Sequence, residues 1–408
     1  MDSYENFDRE EQLNNMRERT EEKERERHSA LYLRKERDRK WDNARTILFY
    51  VVLGLSLLCA ILLYAHNYRL STYSVDREIP LSSAKSAELF EFGGGHIVVG
   101  ADSVTYYVNN EMVYTRAVSM QDPVFAKEGD YFALYGKNGY QVVIGDATGI
   151  QATVKVSRTI QAMDISAAGV IAVCTESDDM GYITYYDRYG NHIAVEMKTA
   201  LNISGYPVNL SISPDGQKLA VIYYTVANGI GESRIVFYDF QKGREDKSYV
   251  IASFDDFYDT DTFLVSVNFT DNKHLCAVGD NMLVFLTYNG VDTVTRMDVR
   301  HKDKVKSVYE QNTNFLVATE KGEETRLTRY DMNGRELNSF EAPAEYEEIR
   351  ATDKYVLFRN GDRVSLFNVS GKLRYEGTLT EAPVSLSFCK GRSILINTGE
   401  SLQKITLK

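Results

Sequence analysis

Residues Val208 to Tyr224 read VNLSISPDGQKLAVIYY, two short apolar runs joined by Pro214-Asp215-Gly216. Each run is rich in Val, Ile, Leu and Tyr and too short for an ordinary helix. They read as two strands joined by a tight turn. Just downstream, IVFYDFQKGR repeats the grammar: a strand running into Asp and Gly. Working outward, the same element recurs as VTYYVNNEMVY, QVVIGDATGIQATV, ITYYDRYGNHIAV, LVFLTYNGVDTV, LTRYDMNGRELNSF and VSLFNVSGKLRYEG. With the turns at Asn110, Gly149, Gly190, Gly243, Gly290, Gly334 and Gly371, the intervals are 39, 41, 53, 47, 44 and 37 residues. A period of this size is that of propeller blades.

A second pair of strands precedes each hairpin, so each repeat holds four. Neighbouring blades would cover both faces of the inner strands, which should then be apolar almost throughout. LAVIYYTV, NFLVATE, KYVLFRN and GHIVVGA satisfy this. The 53-residue interval is read as an extra loop, Val226 to Ser233. After the seventh hairpin, PVSLSFCKGRSILINTGESLQKITLK supplies three more strands. The segment Tyr68 to Leu81 is expected to add the fourth and close the ring, removing an edge that would otherwise invite aggregation. The expected fold of residues 66–408 is an all-β propeller of eight blades, with seven as the alternative.

Ahead of the repeats, Thr46 to Ala65 reads TILFYVVLGLSLLCAILLYA, twenty residues without a charge. As a helix this covers a hydrocarbon core of about 30 Å. Seven Lys and Arg lie in residues 27–45 against three in residues 66–85, which predicts a cytoplasmic N-terminus and an extracytoplasmic C-terminal domain. Residues 1–45 carry 12 basic and 13 acidic side chains with no Pro or Gly. They are expected to form a charged helix or to be partly disordered, with too few apolar residues for a coiled-coil seam. Of the net charge of −11, about −10 remains beyond residue 45, which argues against nucleic-acid binding.

On these repeats, and on the Ser213-Pro214-Asp215-Gly216 turn, the region from about residue 70 onward resembles quinoprotein-like and WD40-like propellers. The whole layout is similar to a family of bacterial membrane-anchored propeller proteins, mostly from Gram-positive anaerobes, whose function is not established. The resemblance implies a fold and transfers no catalytic residue.

The residues offer little chemistry. Tryptophan-rich quinone-enzyme blades need many Trp, and Trp41 is the only one. Asp255, Asp256, Asp259 and Asp261 gather oxygens, yet lack the Gly and Glu of a calcium loop. His301 beside Asp303 reads as an ordinary loop pair, and Gly93-Gly94-Gly95 as a turn between strands. Cys59, Cys174, Cys276 and Cys389 show no zinc spacing, and three outside the apolar run cannot all pair. Asn202, Asn209, Asn268 and Asn368 begin short sequons. No catalytic, cofactor-binding or metal residue is assigned and no cofactor is expected. The expectation is a non-enzymatic binding or scaffolding module meeting a protein partner at the cell envelope. The rivals are a transmembrane sensor and an envelope enzyme.

Overall fold

The computed structural model describes the chain apart from residues 1, 81–86, 110, 178, 228–229, 242–248, 258–261, 291–292, 312–313, 344 and 390. It divides into two units, Met1–Tyr68 and Arg69–Lys408. The first is one continuous helix, Asp2–Asn67, so of the two expectations for the tail the helical one holds. Within it, Arg39–Tyr64 is long and apolar enough to cross a membrane.

The second unit is an eight-bladed β-propeller. Each blade is a four-stranded antiparallel sheet, and in all but the last the strands follow one another in chain order. Blades 1 to 7 span residues 88–117, 123–155, 159–200, 206–254, 264–300, 304–341 and 348–378. Blade 8 takes three strands from residues 385–407 and its fourth, Tyr73–Pro80, from the start of the unit. That strand pairs with Ser401–Leu407 from Tyr73 opposite Leu407 to Pro80 opposite Ser401. Eight blades are therefore present and the seven-bladed alternative is excluded. Leu81, the last residue of the expected closing segment, lies outside the described residues.

Local chemistry accounts for the repeat. In blades 3, 6 and 7 the turn between third and fourth strands begins with Asp187, Asp331 or Asn368 and reaches Gly190, Gly334 or Gly371 three residues later. The Asp or Asn oxygen accepts the backbone N–H four residues on, at 2.8–2.9 Å. The glycine adopts φ of +80° to +83°, a region that side chains disfavour. Recurrent bulges, such as Thr184/Tyr185, Phe237/Tyr238 and Arg329/Tyr330, add the twist a blade needs. In Ser213–Lys218, the Ser213 hydroxyl donates to Asp215 and accepts from the Lys218 N–H, and Gly216 takes φ +71°.

One expectation is corrected. Val226 to Ser233 is not an extra loop: Lys218–Ala227 and Ile230–Asp239 pair continuously until Ala227 faces Ile230. Thr225, Val226 and Ile230 suit strands, and only Asn228-Gly229, a dipeptide favoured in two-residue hairpins, separates the paired ends. The longer interval is thus made of longer strands.

Apolar packing lies between blades. Among the described residues there are eight clusters of buried residues, one for each seam. Phe92, Ile97, Phe132 and Leu134 fill the seam of blades 1 and 2, and Phe237, Leu264, Val267 and Val284 that of blades 4 and 5. The closing seam holds Ala87, Leu89, Val98, Tyr107, Leu395 and Leu402. Second strands such as Gly95–Val99 are buried along their whole length. Leu402→Ala should cost about 2–5 kcal/mol and lower the melting temperature measured by calorimetry. A chain starting at residue 81 exposes the edge of Ser401–Leu407 and should aggregate where one starting at residue 69 stays monodisperse in light scattering.

Candidate functional site

First strands of adjacent blades contact one another, for example Thr159–Ile165 with Tyr206–Ile212 and the latter with Leu264–Phe269. They therefore surround the central channel, each with one backbone edge unpaired by a sheet neighbour. An unsatisfied buried N–H is costly, and polar side chains from the preceding blade meet this need. Asn209 accepts from the Val267 N–H at 2.9 Å, and the Ser211 hydroxyl accepts from the Phe269 N–H at 3.0 Å. Ser211 in turn donates to Asp164 at 2.7 Å, and the same carboxylate accepts the Ile212 N–H at 3.0 Å. One chain of hydrogen bonds thus links blades 3, 4 and 5 around the channel.

Three carboxylates from separate blades interact there: Glu128 of blade 2, Asp164 of blade 3 and Glu310 of blade 6. Burial pushes the Asp164 carboxyl up to about 6, although the Ser211 hydroxyl and the Ile212 and Ile165 N–H groups oppose the rise. Glu310 meets solvent in the channel, yet protein encloses it. That enclosure first, and then the charges of Asp164 and Glu128, push its carboxyl up to about 8. Burial also raises Glu128. No side-chain hydrogen bond or ion pair holds Glu310 among the described residues. Nearer the start of the first strands, burial raises Glu88 of blade 1 while Arg350 of blade 7 opposes it. The channel can therefore hold protons near neutral pH. Among the described residues no group of three or more His, Cys, Asp or Glu is arranged to hold a metal ion.

Of the residues singled out from sequence, Asn209 belongs to the channel network; the acidic run, His301, the glycine turn and the cysteines lie elsewhere. Asp256 is ion-paired with Arg296, which also binds Asp298 at 2.7 Å and sits 4.4 Å from the centre of the Phe257 ring. Asp259 and Asp261 lie outside the described residues. Among the described residues no hydrogen bond joins the His301 and Asp303 side chains; the His301 backbone N–H donates to the Asn281 carbonyl at 2.8 Å, its ring packs edge-on to Tyr330, and burial lowers its pKa despite the Asp303 charge. Gly93 and Gly94 form the turn between Glu88–Phe92 and Gly95–Val99. A Cβ on Gly95 would meet the Tyr107 carbonyl oxygen at 2.1 Å. All four cysteines are free, with Cys174 and Cys276 buried in different seams. Asn209 and Asn368 spend their side chains on backbone N–H groups. Sequence reasoning missed the channel carboxylates. Their one signal was an acid near the end of a first strand, as in QAMDIS and VYEQ.

Comparison with known proteins gives a family. The profile of a family described as "Family of unknown function (DUF5711)" matches residues 66–407. No curated protein matches the chain. Among solved structures it is similar to BamB from Moraxella catarrhalis, at 12% identity over 82% of this chain and 100% of that one, TM-score 0.49. Apo AztD from Citrobacter koseri is 10% identical over 73% and 87%, TM-score 0.46. The WD40 domain of Neurospora crassa Pan2 is 9% identical over 70% and 88%, TM-score 0.41. Nothing about activity or partners passes from these proteins to this chain.

The raised carboxyls carry a pH signature. A carboxyl whose folded pKa lies above its unfolded value stabilises the fold below the unfolded value, near 4 for Asp164 and Glu310. That contribution is lost as pH rises through the folded values of about 6 and 8. Between pH 5.5 and 8.5 the parent protein should lose about 2–4 °C of melting temperature relative to Glu310→Gln, the size of a change of about 1 kcal/mol. Parallel melting curves for the two would contradict a raised Glu310 carboxyl.

Proposed function

The chain belongs to the family of unknown function whose profile spans residues 66–407, and on that premise we propose that it is a membrane-anchored propeller. In this reading it binds or scaffolds a protein partner on the outer side of a bacterial cytoplasmic membrane, that of a Gram-positive cell. One observation carries the reading. In the helix, apolar side chains point outward on all sides: Leu48, Phe49, Leu53, Leu57, Ile61 and Leu62, spread right round the helix at 100° per residue, are each more than half exposed. A stripe would need one partner helix, whereas a fully apolar girdle needs a non-aqueous solvent. The strand that closes the ring begins at Tyr73, six positions after the helix ends at Asn67. A rigid ring holds its turns at fixed positions relative to one another, which suits the binding of a partner.

A second reading, a transmembrane sensor, is favoured by the continuity of Asp2–Asn67. One helix without a break can carry a displacement from the propeller side to the charged tail.

Single cysteines placed at His28 and Met112, with the native cysteines replaced, test the orientation. A membrane-impermeant maleimide should label Met112→Cys in intact cells and His28→Cys only after lysis; the reverse pattern would overturn it. Crosslinking in native membranes should then recover a reproducible partner on the propeller alone. Partners on both sides would favour the sensor, and none would return the enzyme reading.

A further inference from the structure

The residues just before the ring-closing strand are fastened to blade 7. Leu70 pairs in parallel with Tyr375, and its N–H donates to the Arg374 carbonyl at 2.6 Å. Its side chain is buried in the seam of blades 7 and 8, in one cluster with Tyr375, Leu379 and Leu386. The Ser71 and Thr72 N–H groups donate to the Lys408 carbonyl oxygen at 2.7 and 3.0 Å. Arg69, itself exposed, is therefore held beside Leu373–Thr378, the outer strand of blade 7.

That strand brings two more cations to the same place. Lys372 ends the turn that leads into it, its N–H held by Asn368 at 2.8 Å, and Arg374 is the second residue of the strand. The three charges act on one another: burial first, and then Arg374 and Arg69, lower the Lys372 ammonium. Like charges held together repel, and an anion seated among them relieves the repulsion. The acids nearby answer to other groups. Glu376 lines a cleft with Arg359 and Arg363, and the charge of Asp353 acts on Arg329. Asp76 accepts from the Ser74 and Thr406 hydroxyls at 3.0 and 2.5 Å and feels Lys408 and Lys404.

The sequence says which anion is at hand. Arg69 is the first Lys, Arg, Asp or Glu after the uncharged run Thr46 to Ala65, four positions on. A run that spans a bilayer ends at the headgroups, where basic side chains attract anionic lipid. We propose that Arg69, Lys372 and Arg374 together bind the headgroup phosphate of an anionic phospholipid. The inference rests on the membrane-anchored reading above.

The full chain in vesicles of phosphatidylcholine and phosphatidylglycerol tests it, with a phosphatidylglycerol photoreactive in its headgroup as the probe and crosslinked peptides mapped by mass spectrometry. Peptides from residues 66–72 and 368–378 should be labelled. Unlabelled phosphatidylglycerol should compete, and phosphatidylcholine and inorganic phosphate should not. Arg69→Gln combined with Arg374→Gln should lower this labelling about tenfold or more, and Lys372→Gln alone about threefold. Labelling of the basic peptides of residues 27–45 and the melting temperature should stay unchanged in both. A photoreactive phosphatidylcholine that labels the same peptides equally would overturn the proposal. So would labelling indifferent to the substitutions, or competition by inorganic phosphate as strong as by the lipid. Flotation after a carbonate wash reads the anchor separately. A chain washed off the vesicles would overturn the anchor reading and this inference with it; one that floats with neither peptide labelled would overturn this inference alone.

Discussion

Apolar packing of each blade against the next is the interaction on which the rest of this structure depends. No blade has a core of its own: Phe132 and Leu134 are buried against blade 1, while Ala133 and Tyr135, one position away on the same strand, are buried against blade 3. Strand alternation thus sends successive side chains into successive seams. Each sheet needs two neighbours, so a ring left open would expose two apolar faces. Leu89, Val98, Leu395 and Leu402 close the last seam, and Tyr73–Pro80 supplies the outer strand that completes it. Closure therefore engages both ends of the chain segment that follows the helix.

The same geometry shapes the channel. Eight first strands brought side by side leave backbone edges that no sheet neighbour pairs. Asn209, Ser211 and Asp164 satisfy three of their N–H groups from the neighbouring blade. Polar side chains on inner strands have a structural task here, and acids placed among them come within range of one another's charge. Glu310 feels Asp164 and Glu128 although more than one hundred residues separate it from either. The raised carboxyls follow from enclosure and closure together.

Much of this was legible in the residues. The Pro214-Asp215-Gly216 turn, the Asp/Asn-x-x-Gly turns and the apolar second strands are local features that yield the blade and the period; three strands after the seventh hairpin, with Tyr68 to Leu81, favoured eight blades over seven. The apolar run at Thr46–Ala65 was equally plain. Two things were misread or missed for physical reasons. Val226 to Ser233 contains Asn-Gly and a further Gly, and turn residues outweighed the strand-forming Thr225, Val226 and Ile230 around them. The channel carboxylates sit in strands from blades 2, 3 and 6, and their proximity exists only once the ring has closed. No spacing in the sequence encodes it. The acids that did stand out, at residues 255–261, cluster along the chain, and Asp256 is taken up by Arg296.

The fold depends most directly on closure of the ring by the strand that follows the apolar helix. Cysteines at Ser74 and Thr406, which face each other across the two strands, measure this when the full chain is oxidised and its linked peptides are mapped by mass spectrometry. A disulfide joining residues 74 and 406 within a single chain, migrating as a monomer without reductant, is the predicted result. No such link, or one found only between two chains, would contradict closure of the ring by its own N-terminal strand.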